Sequence, residues 1–273
     1  MHARELLRQF GYRPKKRLGQ HFLMDSGAAA RIADLVVPAP GTRVIEIGPG
    51  TGTLTRALLD TQAAVTAIEL DEDMVRILRS RDDLAEAAIV HADALTFDYA
   101  AFGGGAAWRC TGNLPYNIAT PLIMRFIEMS GGPELLVVMM QKDVVDRLRA
   151  KPGERAYGSL SVAVQYRMHV ERAFTLASRV FYPQPKVDST VVRLQRRDQP
   201  AVSVVDEARF LQVVRGAFAY RRKTLANSLS LALNIDRAMV TNALRQLDYD
   251  TEIRGEQLAI GDFARIADAL TAG

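Results

Sequence analysis

The chain has 273 residues, 48% of them hydrophobic, and a net charge of +4, so it is long enough for one large domain and a small one and only mildly basic. Its single cysteine, Cys110, excludes an internal disulfide framework and a cysteine-cluster metal site, and four histidines without close spacing speak against a zinc site, so no metal is expected. The opening "MHARELLRQFGY" is charged where a signal peptide needs an apolar stretch, and no run approaches a membrane span, so a cytoplasmic protein is expected.

From about residue 26 to 150 the pattern alternates. "AAARIADLVV" has helical spacing and "TRVIEIG" is a short apolar run ending in glycine. "TLTRALLD" reads as a helix, "AAVTAIEL" as a second strand and "DEDMVRILRS" as another helix. "AAIVHAD" and "AAWRCTGN" are further strand candidates, "TPLIMRFIEM" is a helix opened by Thr120-Pro121, and "ELLVVMMQ" is a buried strand. Apolar runs alternating with helices predict a doubly wound, mainly parallel α/β sheet covered on both faces. After "FYPQPKVDSTVVRLQRR" (Phe181 to Arg197) the segment "DQPAVSVVD" reads as a linker, and "EARFLQVVRGAFAY", "KTLANSLSLAL", "DRAMVTNALRQL" and "GEQLAIGDFARIADAL" are helical. The expected division is therefore 1–198, an α/β domain with a basic N-terminal segment, and 199–273, a small all-helical domain.

"VIEIGPGTGTLT" (Val44 to Thr55) is a strand, a glycine turn and a helix start, with Gly48 and Gly50 free to let backbone approach a ligand. Such turns serve many nucleotide binders. Here the glycines do not follow the dinucleotide fingerprint, and Glu46 precedes the turn, where its carboxylate would repel a pyrophosphate but not a cation. The second strand ends at Glu69, placed to accept both hydroxyls of a ribose. Asp93 follows the third, where a carboxylate can take the amine of an adenine ring. Each acid alone reads equally as a helix cap or a solvated strand end. Three at successive strand ends, without a basic phosphate cradle, suit S-adenosyl-L-methionine, whose sulfonium and amine are positive.

"EIGPGTGTLT", "IELD", "ADAL" and "GNLPYNIATPL" resemble the successive motifs of class I (Rossmann-like) methyltransferases that act on adenine in ribosomal RNA. "RPKKRLGQHFL" before them, and "FYPQPKVDSTVVRL" and "FAYRRKTLANSL" after them, resemble the 16S rRNA adenine dimethyltransferase family. The likeness spans nearly the whole chain. It implies dimethylation of two adjacent adenines in a terminal hairpin near the 3′ end of small-subunit rRNA, during subunit biogenesis. It also implies that His21 and Leu23 contact the cofactor and that the ring of Phe181 faces the target base.

An exocyclic adenine amine is a poor nucleophile because its lone pair is delocalised into the ring. Two acceptors aimed at its N–H bonds favour a tetrahedral nitrogen with the lone pair directed at the donor methyl. The side-chain oxygen of Asn113 and the carbonyl of Leu114 are suited to this, Pro115 restricts the preceding backbone, and Tyr116 offers a stacking surface of about 1–3 kcal/mol. Such catalysis is orientation and desolvation, not acid–base chemistry. The plain alternative is a strand-to-helix turn stiffened by proline.

"RPKKRLGQHF" and "YRRKTLANS" are basic clusters with few acids nearby, each next to an aromatic, which points to RNA over solvated surface. Arg13, Lys15, Lys16 and Arg17 are expected at the pocket mouth. Arg221, Arg222 and Lys223 are expected to open a helix of the small domain, and Lys142, Arg147 and Arg149 to lie on a helix after the fifth strand. The expected partners are small-subunit rRNA and the immature subunit, bound by a monomer, since no apolar stripe asks for a second copy. The rival readings are an assembly factor acting by binding and a large-subunit rRNA methylase of the macrolide-resistance type. A DNA adenine methylase fits less well, because such enzymes usually offer Asp where Asn113 stands.

Overall fold

A run that is apolar at every position, as Leu135–Met140 is, buries both faces of a strand, and a parallel sheet covered by helices provides that environment. The computed structural model describes residues 3–103 and 106–271. Helix α1 (Ala3–Gln9), strand β1 (Phe22–Leu23) and helix α2 (Ser26–Val36) come first. Strands and helices then alternate: β2 (Arg43–Ile47), α3 (Thr53–Asp60), β3 (Ala64–Glu69), α4 (Glu72–Arg79), β4 (Ala88–His91) and α5 (Tyr99–Gly103). They continue as β5 (Arg109–Asn113), α6 (Tyr116–Glu128), β6 (Leu135–Gln141) and α7 (Lys142–Arg149). Next are α8 (Ser159–Arg167), β7 (Met168–Leu176), β8 (Phe181–Tyr182) and β9 (Ser189–Arg196). Helices α9 (Glu207–Ala219), α10 (Leu225–Leu233), α11 (Arg237–Gln246) and α12 (Ile260–Ala269) follow.

The seven-stranded sheet has the order β4-β3-β2-β5-β6-β9-β7. Its pairs from β4 to β6 are parallel, and β9 runs antiparallel to β6. This is the doubly wound α/β arrangement expected, and helices do fill the C-terminal part of the chain. A separate two-stranded sheet pairs β1 with β8, Phe22 opposite Tyr182 and Leu23 opposite Phe181.

Internal contacts group Met1–Val145 with Glu171–Arg196, and Asp146–Val170 with Arg197–Gly273. The sequence reading makes one cut at 198/199, whereas these contacts send residues 146–170 to the second unit. There the Arg167 guanidinium pairs with Glu207 and the Tyr166 carbonyl accepts from the Ala201 N–H. In the first unit α2, α3, β2, β6 and Leu23 share one core cluster, and α1 adds a smaller one, Leu6 and Leu7 against Phe22, Met74 and Ile77.

Helix α6 corrects the sequence reading. It begins at Tyr116, not at Thr120-Pro121, because the Pro115 carbonyl accepts the N–H groups of Ile118 and Ala119 at 3.1 and 3.0 Å. Pro121 lies inside it, where it forgoes one helical hydrogen bond.

Candidate active site

Parallel pairing brings the C-terminal ends of β2, β3, β4 and β5 to one edge of the sheet, where open α/β folds place their ligands. His21, Leu23, Glu46, Gly48, Gly50, Glu69, Asp93 and Asn113 all line one cleft there, together with Pro115. Among the described residues no lysine or arginine lines it. Three acidic side chains and no basic one oppose a phosphate and suit a ligand bearing positive charge, such as S-adenosyl-L-methionine.

Glu46, 1% exposed, is the next-to-last residue of β2. Desolvation pushes its carboxyl up to about 8, against a 2.6 Å hydrogen bond from the Thr55 hydroxyl, and Glu69 adds repulsion. The sequence reading treats Glu46 as a standing negative charge. Burial instead keeps it largely protonated near neutrality until a cation arrives.

Glu69, 7% exposed, is also raised by burial, while the N–H groups of Asp71 (2.9 Å) and Gly50 (3.4 Å) favour its ionised form. The longer of these leaves Oε2 able to accept from a ligand hydroxyl. Asp93 uses Oδ1 to accept from the Leu95 N–H at 2.8 Å, so part of its role is to shape the turn after β4.

The two glycines have separate reasons. Gly48 has φ +65° and open space where a Cβ would stand, which is room for a ligand. Gly50 has φ +54°, and a Cβ there would meet the Phe22 ring at 2.6 Å, so its absence lets the N-terminal segment close on the loop.

Asn113 ends β5, and its Nδ2 donates to the His21 carbonyl at 2.7 Å. Among the described residues nothing donates to its Oδ1 or to the Leu114 carbonyl. The Leu114 side chain is buried, and its N–H bonds the Met139 carbonyl at 3.1 Å, so the turn is pinned to β6. Tyr116 opens α6, and its side chain lies outside the described residues. Phe181 is paired with Leu23, a residue that lines the cleft. At 1% exposure it packs in the first unit's core cluster, because pairing β8 with β1 sets it opposite Leu23.

Sequence reasoning misses the network that holds residues 12–20 over the strand ends. Lys15 Nζ pairs with Asp71 and Asp73 at 2.6 and 2.7 Å. The Tyr12 hydroxyl donates to Asp71 at 2.6 Å, and Gln20 Nε2 donates to the same carboxylate at 3.0 Å. Burial would raise Asp71, but Lys15, Tyr12 and Gln20 outweigh it and hold the carboxyl below its ordinary range. No local pattern signals these contacts, because Asp71 lies 56 residues from Lys15. Lys15 is thus committed within the protein, while Arg13, Lys16 and Arg17 are exposed.

In the second unit Arg221, Arg222 and Lys223 are exposed but do not open a helix. They occupy the turn between α9 and α10, because the Thr224 hydroxyl caps α10. Arg221 donates to the carbonyls of Arg155 and Tyr157 at 3.2 and 3.4 Å. Lys142 starts α7 and Arg147 and Arg149 lie in its last turn, all exposed.

The model of the family "Ribosomal RNA adenine dimethylase" matches residues 11–272. The chain is 44% identical over 260 residues to Ribosomal RNA small subunit methyltransferase A of Hahella chejuensis, covering 94% of this chain and 93% of that protein. Among solved structures, a dimethyladenosine transferase from Plasmodium falciparum has a TM-score of 0.76 at 25% identity, covering 90% of this chain and 96% of that one. The 23S rRNA methyltransferase ErmE has a TM-score of 0.67 at 26% identity, covering 92% and 99%.

Proposed function

The chain belongs to the ribosomal RNA adenine dimethylase family, and from that premise we propose that the cleft at the ends of β2 to β5 is its active site. The protein is an S-adenosyl-L-methionine-dependent enzyme that dimethylates the exocyclic amine of adenine in small-subunit rRNA. One observation supports this assignment most: Glu46, Glu69, Asp93 and Asn113, at or just beyond the ends of four strands, meet in a cleft that no described lysine or arginine lines.

When bound, S-adenosyl-L-methionine supplies an electrophilic methyl on a positively charged sulfur. Glu46 offers a carboxylate to the cofactor's positive charge, Glu69 accepts from its ribose hydroxyls and Asp93 from its adenine amine. His21 and Leu23 close the cleft from the N-terminal side. Asn113 Oδ1 and the Leu114 carbonyl accept the two N–H bonds of the target amine, with Pro115 holding the turn and the Tyr116 ring stacking on the base. The amine gains positive charge as the methyl arrives, and two neutral acceptors stabilise it without a titrating base. As the bond from sulfur to the methyl breaks and the cationic amine then loses a proton to water, a single N–H remains, so the second transfer needs one acceptor and room for the first methyl. A target adenine leaves its stack to enter, at a cost of a few kcal/mol.

The RNA contacts in this reading are Arg13, Lys16 and Arg17 in the first unit and Arg222 and Lys223 in the second, with Lys142 and Arg147 on α7. The particle bound is the immature small subunit and the enzyme acts as a cytoplasmic monomer. Among the described residues no helix is long and apolar enough to cross a membrane.

The test is transfer from methyl-labelled cofactor to immature small subunits, naked rRNA and DNA, with nucleoside analysis of the product. Dimethyladenosine from small-subunit RNA, abolished by Asn113→Ala while subunit binding persists, is the expected result. Undiminished transfer by that variant refutes the assignment of the site.

A further inference from the structure

Asn113 can orient its amide in two ways, with either the oxygen or the nitrogen toward the N-terminal segment. The His21 carbonyl, 2.7 Å away, decides between them: a carbonyl only accepts, so the group facing it is Nδ2. Oδ1 is thereby turned away from the segment and left without a donor from the described residues. The partner carbonyl is itself held. His21 Nδ1 lies 2.6 Å from the Pro183 carbonyl, another obligate acceptor, so Nδ1 carries the hydrogen. Just beyond that contact, Phe22 and Leu23 pair with Tyr182 and Phe181, and the Met24 N–H bonds the Val180 carbonyl at 2.8 Å. The His21 main chain therefore sits between two fixed points, its own ring on the Pro183 side and β1 on the other.

We propose that His21 is a positioning residue for methyl transfer: its ring, anchored on Pro183, fixes the carbonyl that sets which face of the Asn113 amide meets the substrate. This deepens the reading of Asn113 as an acceptor for the adenine amine and rests on it. With Nδ1 committed to protein, the expected cofactor contact of His21 falls to its Nε2. Coupling between the two sites follows from the same geometry. His21 also lines the cofactor cleft, so whatever settles the N-terminal segment settles the amide as well.

The test compares His21→Phe, which keeps a ring but removes the donor, with His21→Asn, whose Nδ2 is bonded to Cγ as Nδ1 is and can donate to Pro183. The first readout needs no cofactor. In protein labelled with nitrogen-15 at asparagine, the Asn113 side-chain signal is identified by its loss in Asn113→Asp. One of its protons is expected to exchange slowly with water in the unaltered protein, to lose that protection in His21→Phe and to regain it in His21→Asn. The second readout is kinetic. His21→Phe is expected to lower kcat for the first methyl transfer about tenfold, the scale of one misplaced hydrogen bond. Its effect on the second transfer, which needs one acceptor, is expected to be smaller, RNA affinity to be unchanged, and His21→Asn to recover most of the loss.

Three results overturn the proposal. They are fast exchange of both Asn113 side-chain protons in the unaltered protein, His21→Phe with unaltered exchange and kcat, and a defect confined to cofactor affinity. The exchange measurement on the unaltered protein decides the matter even if His21→Phe fails to fold. Asn113→Ala run alongside separates the layers: if it transfers methyl normally, the acceptor reading of the site falls. If it is inactive while His21→Phe is normal in both readouts, only the positioning role falls.

Discussion

The Thr55 hydroxyl donates to the carboxyl of Glu46, a residue only 1% exposed, at 2.6 Å, and this bond opposes the carboxyl's desolvation. The folded-state pKa near 8 lies above the ordinary 4.5, so between those values the folded protein holds a proton that the unfolded chain has lost. Stability from this group is fully present below pH 4.5 and declines as pH rises towards 8, by up to about 5 kcal/mol. Urea unfolding of ligand-free protein from pH 5 to 8.5 is expected to show this slope, and Glu46→Gln to flatten it. Parallel curves for the two proteins contradict the assignment. Cofactor binding at pH 7 is also expected to release most of a proton, read as a dependence of calorimetric heat on buffer ionisation enthalpy.

Glu69→Ala removes the acceptor assigned to the ribose. Cofactor affinity is expected to fall by tenfold or more, in line with about 1.5–3 kcal/mol for hydrogen bonds to a charged group, while RNA affinity holds. Calorimetric titration checks it, and an unchanged cofactor dissociation constant removes Glu69 from that role.

Lys15 and Lys16 are neighbours with different fates. Lys15→Met breaks the pairs with Asp71 and Asp73, so it is expected to lower Tm and weaken cofactor binding while leaving the salt dependence of RNA binding alone. Lys16→Met is expected to leave Tm unchanged and to reduce the slope of log affinity against log salt by roughly 0.7–0.9, the contribution of one phosphate contact. Equal slope changes from both variants contradict this division.

Charge reversal separates the members of the 221–223 turn. Arg222→Glu and Lys223→Glu are expected to reduce RNA affinity and its salt slope with Tm unaffected. Arg221→Glu is expected to lower Tm as well, because its guanidinium bonds the Arg155 and Tyr157 carbonyls. Unaltered slopes for Arg222→Glu and Lys223→Glu show that this turn does not touch phosphate.

Most of the α/β core is legible in the sequence, because a strand such as Leu135–Met140 is an apolar run whose burial is independent of register, and Val44–Ile47 is apolar but for Glu46. The carboxylates and Asn113 are legible because each stands at or beside a strand end. What escapes the sequence depends on long-range partners. A two-residue strand such as Phe22–Leu23 has no period to detect and exists only because Phe181–Tyr182 lies beside it. That pairing also sends Phe181 into the core, which no spacing within "FYPQPKVDS" predicts. Leu6 and Leu7 bury α1 against Met74 and Ile77 of α4, a contact invisible in a charged heptad of sequence. The altered acidity of Glu46 likewise comes from burial and not from residue type.

The pairing of β1 with β8 has a bearing on the order in which the enzyme is made. A ribosome releases residues 12–24 long before residues 180–183, yet the Val180 and Pro183 carbonyls and β8 are what hold that early segment in place. Between the emergence of Asp71 and that of Pro183 the segment over the cleft has its Asp71 contacts available but lacks its second anchor. On the positioning role proposed for His21, the Asn113 amide is settled only when the later segment emerges from the exit tunnel and returns to the start of the chain, and a nascent enzyme then reaches catalytic competence late.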